Sequence, residues 1–217
     1  MTMLSAREGY RLWAPTYAGE TAISALDEEL AQTMLGGLPR SNLLDAGCGV
    51  GRRLSGGIGV DASPEMLMAG GRTDVAAADI RALPFQSARF DMIWCRLVLG
   101  HLSDPLPAYR ELARVCSRGG HVFVTDFHAD ATSAGHKRAF RDVSGVVREV
   151  EHYVHADHIE MAITAGLVPL AQKNGAVGSS VRSFYQRAGR IDAYERDFGL
   201  NLVAAFLFFR PADAPAD

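Results

Sequence analysis

The chain has 217 residues, 48% of them hydrophobic, with a formal net charge of −3 and a pI near 6.2. That length and apolar share support one domain with a sizeable core. The acidic balance offers no basic surplus for nucleic acid, and no apolar run approaches the roughly 18 residues of a membrane span. Read in order, residues 3–13 and 20–38 are expected to be helices. In the second, Ile23, Leu26, Leu30, Met34 and Leu38 recur every three or four residues, and Gly36, Gly37 and Pro39 stop it. Strands are expected at 42–46, 58–61, 75–78, 90–95, 121–127 and 200–209. Helices open at Ser63-Pro64-Glu65, a serine cap followed by proline, and run over 105–116 and 157–165.

Strands alternating with helices predict an α/β fold. It is a Rossmann-like, doubly wound, mostly parallel sheet with an antiparallel last strand, in three αβα layers. The whole of 1–217 reads as a single domain. Residues 1–38 would form a helical cap, and two stretches, about 128–155 and 173–199, interrupt the alternation as lids or substrate walls. In the first, Asp142-Val143-Ser144-Gly145 are turn formers between alternating segments, which predicts a hairpin. In the second, a helix is expected over 181–196. Gly119-Gly120 reads as a turn, and residues from Pro211 to Asp217 as a disordered tail. The N-terminus lacks the apolar core of a signal peptide, and the cysteines (Cys48, Cys95, Cys116) lack metal-ligand spacing. A cytoplasmic protein with reduced thiols is expected.

The chemistry concentrates where the first strand ends. Leu43-Leu44-Asp45-Ala46 runs into Gly47-Cys48-Gly49-Val50-Gly51, glycine at every second position. Glycine lets backbone approach a ligand closely. A nicotinamide enzyme would favour G-x-G-x-x-G; here position 52 is Arg, and the preceding acid would repel a pyrophosphate but suits an ammonium group. Asp61 ends the second strand, where a carboxylate can accept from ribose hydroxyls or cap the next helix with Ser63. Asp79 follows the third, within reach of an adenine amino group. Each alone admits a purely structural role; the three acids in this order point to one cofactor.

Those pieces, with Gly59–Leu67, Asp79–Phe85, Phe90–Ile93, Leu112–Val115, Gly119-Gly120 and Tyr10–Tyr17, resemble a class I S-adenosylmethionine-dependent methyltransferase. The branch is the small-molecule, type 11-like one, and the likeness covers residues 9–127. The resemblance implies S-adenosylmethionine as cofactor and S-adenosylhomocysteine as product. Asp45, Ala46, Gly47, Cys48 and Gly49 would hold the methionine moiety and Asp61 the ribose. Ala62 and Met66 would lie on the adenine, with Asp79 and Ile80 at its edge. Cys95, Arg96 and Leu97 would sit under the sulfonium, and Tyr10 and Tyr17 would close over the cofactor. One departure stands out: only residues 48–57 separate the glycine turn from the second strand, where the family places a full helix. That helix should shrink to about one turn, its flank covered by the 20–38 helix or a second subunit.

Methyl transfer is an in-line displacement in which proximity and a base with pKa near 7 both help. Five of the seven histidines fall between residues 128 and 158. Related O-methyltransferases carry a His-His pair after the fourth strand and an acid after the fifth; here stand Gly100-His101 and Asp126. His101, Asp126 and His128 are the expected catalytic residues. His152, His155 and His158 are spaced by three but cross a strand-to-helix boundary, so no metal site is expected. Phe127, Phe140, Tyr153, Phe184 and Tyr185 could wall an aromatic acceptor or belong to the core. The expected partner is a small-molecule acceptor with an oxygen or nitrogen nucleophile, and the protein is expected as a monomer or homodimer. The alternatives are a non-catalytic S-adenosylmethionine-binding protein and, less in keeping with the glycine spacing, a nicotinamide oxidoreductase.

Overall fold

The computed structural model describes residues 3–17 and 19–212, so residues 213–217 of the expected tail fall outside it. The chain runs α1 (Ala6–Trp13), α2 (Ala22–Leu35), β1 (Leu43–Ala46), β2 (Ile58–Asp61), α3 (Pro64–Gly70), β3 (Val75–Ala77), β4 (Phe90–Arg96) and α4 (Leu106–Val115). It continues with β5 (Cys116–Phe127), α5 (Ala129–Ser133), β6 (Ala139–Arg141), β7 (Val147–Glu149), α6 (His158–Thr164), β8 (Val168–Ala176), α7 (Arg182–Arg187), α8 (Ile191–Asp197) and β9 (Asn201–Phe209).

Seven strands form one sheet in the order β3-β2-β1-β4-β5-β9-β8. Neighbours from β3 to β5 pair in parallel, and β9 is antiparallel to both β5 and β8. The order reverses between β1 and β4, which places the ligand crevice at the carboxyl ends of those strands. Alternation along β4 and β5 divides the core. Ile93, Cys95, Val122 and Val124 face α4 and α6, with Tyr109, Leu112 and Ala162 against them. Met92, Trp94 and Phe123 face α2, with Leu26, Leu30 and Leu35, and Tyr194 from α8. A three-layer αβα sandwich results, as expected.

Three local expectations need correction. The crossover from β1 to β2 holds no helix, not even one turn. It is a succession of turns closed by Gly51 N–H to Cys48 O (2.9 Å) and Leu54 N–H to Gly51 O (3.1 Å). The glycines at 47, 49, 51, 56 and 57 all have positive φ, which an α-helix forbids. Second, Gly119-Gly120 does not separate a helix from a strand. It lies inside β5 as a bulge, where the register against β4 jumps from Phe90↔Cys116 to Met92↔His121. Third, the helix expected over 181–196 is broken at Gly189, whose φ of 65° divides α7 from α8. The expected hairpin at 139–149 is present as β6 and β7, its turn held by Asp142 Oδ1 accepting from Ser144 N–H and Val146 N–H. The N-terminal cap is stitched to it: Leu4 N–H donates to Glu149 O and Glu151 N–H to Leu4 O.

α2 covers the flank that the missing helix leaves. Its Asp27 is fully buried and accepts from Thr125 Oγ1 at 2.6 Å and Arg96 Nε at 3.1 Å, and pairs with Arg53 of the crossover at 3.1 Å. Arg53 also donates to Ser24 O at 2.9 Å, while Leu54, 3% exposed, fills the gap behind it. Among the described residues no helix is long and apolar enough to cross a membrane. Removing one partner of a buried ion pair leaves the others uncompensated, at a cost of about 3 to 5 kcal/mol. Asp27→Ala is therefore expected to lower the urea midpoint by that equivalent. A midpoint equal to that of the unaltered protein would show that α2 is held by apolar contact alone.

Candidate active site

The glycine turn is built by strain that only glycine tolerates. Gly47 (φ 85°) lies so close to Val98 that an added Cβ would approach Val98 Cγ2 to 2.3 Å. Gly47 N–H and Cys48 N–H both donate to Val60 O, at 2.7 and 2.9 Å. Gly49 N–H donates to Asp61 Oδ2 (2.8 Å), and Ser63 N–H to Asp61 Oδ1 (2.8 Å). Asp61 thus ties the ends of β1 and β2 together, and burial lifts its carboxyl above the ordinary range despite both donors. Ala46 is fully buried, Met66 is 1% exposed beneath Gly49, and Tyr17 approaches the same glycine. Burial pushes the Cys48 thiol up, so it stays protonated.

The Asp45 carboxylate accepts no hydrogen bond from any described residue, and the residue is 5% exposed; burial raises its carboxyl to about 6 although Arg96 and Arg53 pull the other way. A buried acid without a donor, at the mouth of a backbone cradle, fits a group that brings its own ammonium. Asp79 pairs in this structure with Arg81, whose guanidinium holds its carboxyl below the usual range, while Ile80 is buried and Ala62 exposed.

The trio after β4 does not share one surface. Pleating turns Cys95 toward the α4 face and Arg96 toward α2, where Arg96 is bound by Asp27 and Glu28. Arg96 thereby fastens α2 to the end of β4. Leu97 takes a left-handed conformation (φ 60°) and swings the chain from the strand into the turn containing His101.

The structure brings His101 and Asp126 into one cluster with residues from four other segments. Arg138 Nη2 donates to the Tyr10 hydroxyl (2.8 Å), which is 2.8 Å from His101 Nε2; His101 Nδ1 faces Glu151 O at 3.3 Å. Since the carbonyl can only accept, Nδ1 carries the proton, Nε2 accepts from Tyr10, and both ring nitrogens are engaged. Burial, with Arg138 and His152 nearby, pushes His101 down to about 3, and burial lifts Tyr10 to about 12, so both are neutral. Asp126, 1% exposed, lies between two histidines: His152 Nε2 is 3.4 Å from Oδ1 and His158 Nε2 3.6 Å from Oδ2. Although burial opposes it, His152, His158 and Phe127 N–H hold this carboxyl below its ordinary range.

His128 stands apart from this cluster. Its Nδ1 accepts from Asp130 N–H (3.1 Å) as the N-cap of α5 and lies 3.3 Å from Asp130 Oδ2. The three spaced histidines also diverge. His155 Nε2 meets Leu102 O, away from the cluster, while His152 and His158 reach Asp126 from two sides, His158 with its Nδ1 on the Tyr109 hydroxyl. Of the expected wall, Phe127 and Phe140 are present, joined by Trp13, which stacks on Phe140 at 4.8 Å, and by Arg138 over Trp13 and Phe127. Phe184 and Tyr185 pack instead against the α2-side core, and the Tyr153 hydroxyl points to Glu151. Trp13, Arg138 and His152 were not assigned roles in binding or catalysis from sequence. The signal available for His152 was the bare position at Gly100.

The cluster adjoins the glycine turn through aromatic contacts. Tyr17 approaches Gly49, Tyr10 lies 6.2 Å from Tyr17 by ring centroid, and Tyr10 meets His101. A family profile described as a methyltransferase domain matches residues 44–124. The chain is 25% identical over 195 residues to a ubiquinone biosynthesis O-methyltransferase of Nitrosomonas europaea, covering 80% of each. It is 39% identical over 100 residues to a malonyl-[acyl-carrier protein] O-methyltransferase of Erwinia billingiae, but that match spans only 41% of this chain and 40% of the relative. Among solved structures, an S-adenosylmethionine dependent methyltransferase from Mesorhizobium loti superposes with a TM-score of 0.62 at 18% identity, over 86% of this chain and 99% of the other. The [4+2]-cyclase SpnF shares the fold with a TM-score of 0.63 at 19% identity, over 98% of both. Motifs, sheet order and profile agree: residues 44–124 carry a methyltransferase domain of the class I, S-adenosylmethionine-dependent type.

Proposed function

We propose that this enzyme methylates an oxygen or nitrogen nucleophile of a small molecule bound where β4 and β5 end. The observation that carries the reading is the cluster of Asp126, His101 and His152 beside the glycine turn, roofed by Trp13, Phe127 and Phe140. A polar, proton-accepting corner under flat aromatic walls suits an acceptor that must lose a proton on reaction. The names of both reported relatives specify oxygen methylation, which supports an oxygen acceptor. Bound S-adenosylmethionine supplies a methyl group on positively charged sulfur. Asp45 would hold its ammonium and Asp61 the ribose, with Met66 and Ala62 against the adenine and Asp79 and Ile80 at its edge. Tyr10 and Tyr17 would exclude water above it. Positioning of donor and acceptor then provides most of the rate gain.

A panel of catechols, phenols, carboxylic acids and primary amines, incubated with enzyme and methyl-labelled S-adenosylmethionine, tests the reading. Acceptor-dependent label on oxygen or nitrogen is expected. Label on carbon, or none above background with every class, would contradict it.

Asp45 makes a second prediction. Its carboxyl is raised to about 6 in the free protein, and an ammonium binds the ionised form, so binding below that pH must release a proton. Affinity for S-adenosylhomocysteine should weaken by about tenfold per pH unit below 6 and level off above it. Asp45→Asn should bind weakly with no such slope. Calorimetric titrations at pH 5, 6 and 7.5 read both; a flat profile in the unaltered protein would remove Asp45 from the ammonium site.

A further inference from the structure

We propose that His152 takes the proton from the acceptor, delivered by the 128–155 segment into the space that Gly100 leaves empty; the assignment rests on the methyl-transfer reading above. A Cβ on Gly100 would lie 2.2 Å from His152 Nε2, 2.4 Å from its Cε1 and 2.8 Å from Asp126 Oδ1. Any side chain at 100 would therefore expel the imidazole and separate it from Asp126. The fit is held from both ends. Tyr153 N–H donates to Gly100 O at 2.7 Å, pinning the residue next to His152 directly onto the turn. The imidazole is packed against Phe127 at 4.8 Å and against the edge of His101 at 5.3 Å.

Three histidines border this corner, and their partners decide among them. His101 has one nitrogen on Tyr10 and the other on Glu151 O, and neither is free to receive a proton. His158 is 2% exposed, with Nδ1 on Tyr109 and Nε2 toward Asp126. His152 turns Nε2 to Asp126 and has no hydrogen-bond partner on Nδ1 among the described residues. A carboxylate that fixes one ring nitrogen as N–H and leaves the other bare is the arrangement of an oriented general base.

Asp126 at the end of β5 and His101 after β4 face His152 directly; behind His101 stand Tyr10 on α1 and Arg138 before β6, and behind Asp126 stands His158 on α6. Asp126 is the acid in direct contact. In the step, the acceptor's proton passes to Nδ1 while its lone pair bonds to the methyl carbon. The carbon–sulfur bond breaks with its electron pair left on sulfur, which becomes neutral. The imidazolium formed is stabilised by Asp126 and later gives its proton to water.

Nitrogen-15 spectra of histidine-labelled enzyme, recorded at pH 8 without cofactor, read the tautomer directly. Protonated Nε2 and bare Nδ1 on His152 are expected, with the preference lost in Asp126→Asn. A protonated Nδ1 in the unaltered enzyme would overturn the proposal. His152→Gly and His152→Gln should still bind S-adenosylhomocysteine, while methyl transfer to the panel above falls by about 10²- to 10⁴-fold. Added imidazole should restore transfer in His152→Gly, and so should placing the ring on the other segment in a Gly100→His, His152→Gly double variant. Unchanged transfer in both single variants would also overturn it. The two readings fail separately: an enzyme that labels no acceptor defeats the methyl-transfer reading, whereas the tautomer is measured without turnover.

Discussion

Asp27 sits where four stretches of chain meet. Its carboxylate, on α2, is shared by Arg53 from the shortened crossover, Arg96 at the end of β4 and Thr125 near the end of β5. Without the helix that usually follows the glycine turn, the sheet would expose Trp94 and Met92 on that side. Instead α2 lies across them, and the ion network fixes its position. Charges this deep are stabilising only when every partner is present. The network therefore works as a register device as much as an adhesive. It sets where β4 and β5 end relative to the turn after β1, and the active site is assembled at those three ends.

On that frame the two halves of the site follow opposite electrostatic designs. The cofactor half keeps a buried carboxylate without a donor, Asp45, beside a backbone cradle. The half around Asp126 links its groups to one another. A chain of donors from Arg138 through Tyr10 to His101 ends on Glu151 O, and Asp126 is flanked by two histidines. Three of these residues, Arg138, Glu151 and His152, come from the segment between β5 and α6, and His158 opens α6. The hairpin there is tied to the N-terminal cap at Leu4 and by the close approach of Gly9 to Val150. Cap and hairpin thus border this cluster together, and both lie outside residues 44–124, which the methyltransferase profile matches.

Most of the sheet was legible because its central strands are short apolar runs, buried on both faces, bounded by glycine and proline turns; β8, largely exposed, lacks such a run. The same reading places three acids at one edge of the sheet: Asp45 lies near the end of β1, Asp61 ends β2 and Asp79 follows β3 by two residues. Arg96 shows where that logic ends. Adjacent residues of a strand face opposite ways, and nothing local says that Asp27, sixty-nine positions earlier, waits on the α2 side. The acceptor half depended on similar long-range meetings. His152 acquires meaning only from the missing side chain at Gly100, and His128 loses its expected role to a local cap that offered its Nδ1 a nearer partner. The bulge at Gly119-Gly120 misled because glycines that end a helix and glycines that interrupt a ladder look alike in sequence.

The relation between the two halves is the central claim, and a crystal structure of the enzyme with S-adenosylhomocysteine tests it most directly. The account predicts the amino group on Asp45, the ribose on Asp61 and the sulfur opening toward the corner formed by Tyr10, His101 and His152. A sulfur facing Arg96 and α2, with the Asp126 corner walled off from it, would contradict the account.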